Sequence, residues 1–211
     1  MKKLIPILLA VFALASCEKD PDMGKLDDNY LVYTNHDEKA DFKVPTFFLA
    51  PQILVISDSK EPEYLEGEGA EQILAAYTEN MEARGYTAAA DKESADLGIQ
   101  VIYIASTYYF TSYAQPEWWW GYPGYWGPNY WGGTWGGGWY YPYAVTYTYS
   151  TGSFITELLN LEATQGEKEK LPILWTSYMS GLLSGSTAVN TKLAIEGVNQ
   201  AYTQSSYLTN K

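Results

Sequence analysis

The chain has 211 residues, enough for one domain with a real core, and its formal charge of −12 disfavours nucleic acid and anionic membrane surfaces as electrostatic partners. Hydrophobic residues make up 46% and charged residues 18%, as in ordinary globular proteins, whereas the 16% aromatic content is high and local. A single cysteine, Cys17, excludes an intramolecular disulfide and any cysteine-rich metal site, so stability must come from packing.

The first residues read MKKLIPILLAVFALASC. Lys2 and Lys3 form a basic start, Leu4 to Leu14 an apolar run too short for a stable membrane helix, and Leu14-Ala15-Ser16-Cys17 closes it with small residues. This resembles the lipobox of bacterial lipoproteins, which implies cleavage before Cys17 and acylation of that residue. The anchor would hold through about 0.8 kcal/mol per buried methylene. Residues 1–16 are then a lipoprotein signal peptide, and loss of its two cations, Lys2 and Lys3, takes the charge from −12 to −14. Residues 17–29 read as an acidic tether. Its Asp and Glu behind the cysteine are similar to the surface-export signal of Bacteroidetes lipoproteins. The expected location is therefore the outer membrane, lipid-anchored and displayed at the surface.

Residues 30–211 read as a single domain. Tyr30 to Thr34, Thr46 to Ala50 and Gln52 to Ser57 are short β-rich runs, the last two separated by Pro51. Asp58 to Gly69 reads as an acidic linker. Ala70, Ile73, Leu74, Tyr77 and Met81 share one face of a helix that Gly85 terminates. A strand is expected from Ala95 to Ile104, continuing to Tyr113, and another from Tyr143 through Leu159. Leu171 to Gly181 is a last strand, with Trp175 as a packing residue, and Thr187 to Gln204 a closing helix weakened by Gly197. The order predicts an α+β fold: a mainly antiparallel sheet, two helices packed on one face, and a long hairpin with an aromatic tip.

That tip, about residues 114–143, holds seven of the eight tryptophans: Trp118, Trp119, Trp120, Trp126, Trp131, Trp135 and Trp139. Recurrent Gly and Pro exclude a helix or central strand. Three readings compete for these rings. They fold back on their own strands; they bind a ligand, with a glycan the natural class because aromatic faces stack on sugar rings; or they enter a lipid headgroup region or grip an envelope protein. Stacking on nucleic acid is disfavoured, since the stretch has no Lys or Arg to follow a backbone.

Catalytic and metal sites are not expected. The lone histidine, His36, lies in a polar Asn35-His36-Asp37-Glu38 turn with no second histidine or cysteine to complete a set. Among 25 acidic residues some carboxylate pair is inevitable, so none points to a glycosidase. The glycines of 132–138 lack the Lys-Ser/Thr ending of a phosphate loop, and no cofactor is implied.

A family pattern is present. Val44 to Leu49 followed by Ile53 to Ser57, Arg84-Gly85-Tyr86, Ala95-Asp96-Leu97-Gly98, Gly152-Ser153-Phe154-Ile155, Leu174-Trp175, Gln200-Ala201-Tyr202 and Gln204-Ser205 together resemble the Bacteroidetes lipoproteins grouped as domain of unknown function 4136. The resemblance implies an envelope lipoprotein of α+β fold and supplies no catalytic residues. The expected role is non-enzymatic binding or assembly, with glycan binding or processing as the alternative. The expected partners are the membrane, through the lipid, and a glycan or envelope protein.

Overall fold

The computed structural model describes residues 31–57, 59, 61–105, 111–112, 130–131, 139–143, 147–148, 151–162, 171–182 and 184–211. Its main sheet is built from β1 (Leu31–His36), β2 (Thr46–Ile56), β3 (Glu63–Leu65), β5 (Leu97–Ile104), β9 (Ser153–Asn160) and β10 (Leu171–Ser180), in the order β1-β10-β9-β5-β2-β3. Two short strands join it: β4 (Thr87–Ala88) pairs with β2, and β7 (Trp139–Tyr140) with β10. A separate two-stranded pair links β6 (Thr111–Ser112) to β8 (Tyr147–Thr148). The helices are α1 (Glu68–Ala83) and α2 (Thr187–Gln204).

The fold is α+β, but the sheet is mixed rather than mainly antiparallel. β2 runs parallel to β5 and β4, and β7 parallel to β10. The physical reason is the connection: α1 carries the chain from the end of β2 back to the start of β5, and such a crossover makes the two strands parallel. The strands on either side of the aromatic stretch do pair antiparallel, from Leu97↔Asn160 to Ile104↔Ser153. The long hairpin itself falls largely outside the described residues. Within the expected acidic linker, Glu63–Leu65 pairs with Ile53–Val55 as β3.

Pro51 does not divide two strands. It lies in an irregularity of β2, where Ala50, Pro51 and Gln52 together stand opposite the single residue between Ile99 and Val101. The bulge absorbs a residue that cannot donate to the ladder. Because two extra residues are inserted, odd positions Phe47 and Ile53 still face one core while even positions Leu54 and Ile56 face the other.

Two cores follow from this alternation. One lies between the sheet and the helices, where Tyr77, Met81, Val198 and Tyr202 meet Phe47, Ile99, Phe154 and Trp175. Tyr77 shares a hydrogen bond with Thr156, and the Trp175 indole donates to Ser205 Oγ at 2.8 Å, so these two rings bury their polar tips with partners, whereas the buried Tyr202 hydroxyl has none. Burial also raises the Tyr202 phenol well above its ordinary pKa, with Tyr77 adding to the effect. The opposite face is also apolar, with Leu54, Ile56, Ile102, Ile155, Leu159 and Ile173 buried. β5, β9 and β10 are therefore buried on both sides, which explains their near-continuous apolar sequences.

The end of α1 is closed by local geometry. Gly85 has φ +93°, its N–H donates to Glu82 O, and Tyr86 N–H donates to Met81 O, the two bonds of a Schellman motif. Thr209, Asn210 and Lys211 then bond the carbonyls of Arg84, Gly85 and Ala83. An added Cβ at Gly85 would meet Lys211 Cγ at 3.2 Å. Gly85→Ala should cost about 1–2 kcal/mol, because an L-residue disfavours this left-handed conformation. Urea unfolding with an unchanged slope would check it.

Candidate functional site

The second face is where the aromatic insertion meets the sheet. Trp131 is only 4% exposed, and its six-membered ring sits over Gly98, where an added Cβ would lie 2.6 Å from Cζ3. Gly98 is thus required by close approach of a ring. Phe48 and Tyr130 present edges to the indole, with centroids 6.2 and 5.1 Å away. Lys92 places its ammonium 3.9 Å from the Tyr130 ring centre. Burial, with Glu93 and Tyr64 nearby, raises the Tyr130 phenol above its ordinary value.

A chain of polar side chains runs beneath these rings. Trp131 Nε1 donates to Gln100 Oε1 at 3.1 Å, Gln100 Nε2 donates to Glu157 Oε2, and the Tyr141 hydroxyl donates to Glu157 Oε1. Gln100 and Glu157 are fully buried, on neighbouring strands and in register with each other. Two separate points of the insertion, Trp131 and Tyr141, are thereby tied to the centre of the sheet through one carboxyl group. Buried polar groups of this kind are costly unless each is bonded.

Of the expected binding residues, Trp131 is the one whose side chain is described, and it is part of this buried cluster. Trp139 is described through its backbone, paired with Leu171 in β7. Trp118, Trp119, Trp120, Trp126 and Trp135 lie outside the described residues, as does Cys17. Sequence reasoning passed over Gln100, Glu157 and Tyr141, and named Gly98 only within the family pattern. The signal for two of them was present: Gln100 is the lone amide in LGIQVIYI and Glu157 the lone charge in SFITELLN. Such residues inside apolar strands need a buried partner.

His36 departs from its expected turn. It ends β1, half-buried, with its ring stacked on Tyr207 at 3.6 Å and 18°. Phe42 completes the group, 5.7 Å from Tyr207. Beside it, Asp37, Asp41, Asn160 and Glu162 line a hollow of about 380 Å³. Glu162 is held above the usual carboxylate range, first by a hydrogen bond to Asp96 and then by that group's charge. Asp96 is itself fixed, accepting from Thr46 N at 2.8 Å and Thr46 Oγ1 at 2.6 Å. Among the described residues, no group of three or more His, Cys, Asp or Glu is placed to hold a metal ion.

The family pattern described as "Domain of unknown function (DUF4136)" matches residues 32–205. The chain belongs to the DUF4136 family. A crystal structure of a DUF4136 protein from Bacteroides thetaiotaomicron is 76% identical, covers 88% of this chain and 100% of its own, and superposes with a TM-score of 0.78. Two dodecamer structures of PelC from Paraburkholderia phytofirmans are 9% and 10% identical, each covering 82% of this chain and 98% and 97% of their own. Their TM-scores are 0.37 and 0.36. No curated protein matches. For this DUF4136 protein, both described cores include residues of the resemblance noted above: Phe47, Phe154 and Trp175 in one, Leu54 and Ile155 in the other.

Two outcomes test this geometry. Gly98→Ala should displace the Trp131 ring and cost about 1–3 kcal/mol, as overpacking does, while Trp131→Ala should cost about 3–5 kcal/mol by leaving a cavity. Chemical denaturation of both variants reads this. Asp96→Asn should lower the Glu162 pKa, since it removes the charge that favours the protonated form; carboxyl NMR titration reads the shift. In the native chain the folded state holds that proton more tightly than the unfolded chain, so the pair costs stability as pH rises through the carboxyl range.

Proposed function

We propose that this protein is a lipid-anchored component of the cell envelope, held at the outer membrane through Cys17 and displayed at the surface, with a non-enzymatic binding or assembly role carried by its aromatic insertion. The anchor rests on Leu14-Ala15-Ser16-Cys17 after a short apolar run led by Lys2 and Lys3. The binding role rests on one observation above all: two points of the insertion, Trp131 and Tyr141, are hydrogen-bonded to the buried centre of a two-sided sheet. Ordering a recognition segment in advance lowers the entropy cost of binding. The stacked, half-buried position of His36 supports the non-enzymatic reading. A glycan is the ligand class that Trp and Tyr faces fit best, with an envelope protein or lipid headgroups as the competing partners.

Metabolic labelling with a fatty acid tests the anchor: the wild type should take up label and fractionate with membranes, and Cys17→Ala should do neither. For the binding role, saturable tryptophan fluorescence changes on titration with oligosaccharides are expected. Replacing Trp118, Trp119 and Trp120 together by Ala should abolish them. A broad oligosaccharide screen without a hit would overturn the glycan reading, and co-sedimentation with neutral vesicles would then point to lipid.

A further inference from the structure

The two ends of the main sheet are finished differently. At one end β3 is only Glu63–Leu65 and begins with a charge, and both shortness and charge discourage edge pairing. At the other end β1 is six residues long, LVYTNH, with no lysine or proline, and Leu31 and Tyr33 are 54% and 43% exposed. Left open, such an edge is a template for a second chain. Register fixes which groups it offers. Asp37 N–H donates to Leu174 O at 2.9 Å, one step past the His36↔Trp175 pair. Bonded and non-bonded pairs alternate in an antiparallel ladder, so Leu31, Tyr33 and Asn35 aim their backbone groups at β10, and Val32, Thr34 and His36 aim theirs outward. Two contacts agree: Gln204 Nε2 donates to Val32 O at 3.5 Å, and His36 N–H donates to Asn35 Oδ1 at 2.9 Å. Among the described residues, no strand pairs with that outer edge.

We infer that Asn35 and Gln204 guard β1 against edge-to-edge pairing with a second copy of this chain. Two such edges meeting antiparallel about a two-fold axis at Thr34 would bond Thr34 to its own counterpart, and Val32 O to the second copy's His36 N–H. That acceptor and that donor are the groups Gln204 and Asn35 occupy. The guards thus take a matched acceptor and donor from the two ends of the prospective ladder, and leave Thr34 at its centre. A side chain of the same molecule competes well for such groups, because it has no association entropy to lose. Gln204 is the last residue of α2, so the helix layer closes the edge of the sheet as well as covering its face. This inference goes beyond the proposed function and depends neither on the anchor nor on any ligand of the insertion.

Sedimentation velocity of the full chain in mild detergent, over a range of concentrations, tests it. Replacing Asn35 and Gln204 together by Ala should tighten self-association by about tenfold or more relative to the wild type, with each single variant in between. Adding Thr34→Pro, which removes an outward N–H that an edge strand can spare, should return the double variant to wild-type behaviour. Thr34→Val keeps that N–H and should not. Far-ultraviolet circular dichroism matching the wild type shows that each variant is folded, and the single variants carry the test if the double variant does not fold. Unchanged association in the guard variants, association that Thr34→Pro leaves intact, or a wild type whose own association Thr34→Pro abolishes would each overturn the inference.

Discussion

A sheet with two apolar faces must be covered twice, and the rest of this fold is arranged to meet that requirement. Residues that alternate along β2, β5, β9 and β10 are greasy in both directions, so leaving either face wet would forfeit roughly 1.5–3 kcal/mol for each large aliphatic side chain. The helices cover one side with Tyr77, Met81, Val198 and Tyr202. On the other, Tyr130, Trp131, Tyr141 and Tyr143 pack against the aliphatic residues of the strands. At Trp131, and at the partly buried Tyr130, Tyr141 and Tyr143, the aromatic insertion is therefore part of the core, and any binding role is built on that structural duty.

The two covers are fastened differently. Under the helices the contacts are mostly apolar, with the Tyr77 and Trp175 rings hydrogen-bonded to Thr156 and Ser205. Under the insertion the fastening is a connected polar chain, in which one amide and one carboxyl serve rings from two places in the sequence. Apolar contact is tolerant of small shifts, whereas a hydrogen-bonded chain in a low-dielectric interior is set by the geometry and charge of each member.

Much of the layout was legible from residue spacing. The periodicity of Ala70, Ile73, Tyr77 and Met81 marked α1, Gly85 marked its end, and the limits of α2 coincide with Thr187 and Gln204. The parallel pairing of β2 with β5 was less legible, because strand direction depends on where a connecting helix returns the chain, and periodicity is blind to that. Pro51 read as a divider because a ladder loses a donor there; the structure keeps one strand by bulging around it. The site was harder still. Tryptophan density drew attention to the rings, while what secures them is a glycine seat and two polar side chains from strands 57 residues apart in sequence. Such a juxtaposition is a property of register, and composition carries no trace of it.

The bulge in β2 also constrains how this chain can tolerate insertions and deletions. Since side-chain direction alternates with each residue, removing one of Ala50, Pro51 or Gln52 would rotate one half of the strand by half a turn relative to the other. Phe47 would then leave the helix side for the Trp131 side, or Ile53 and Leu54 would exchange cores. Removing two would leave every facing unchanged and simply straighten the strand against β5. Length variation at this point should therefore come in steps of two, a parity rule imposed by two incompatible interiors on either side of a single strand.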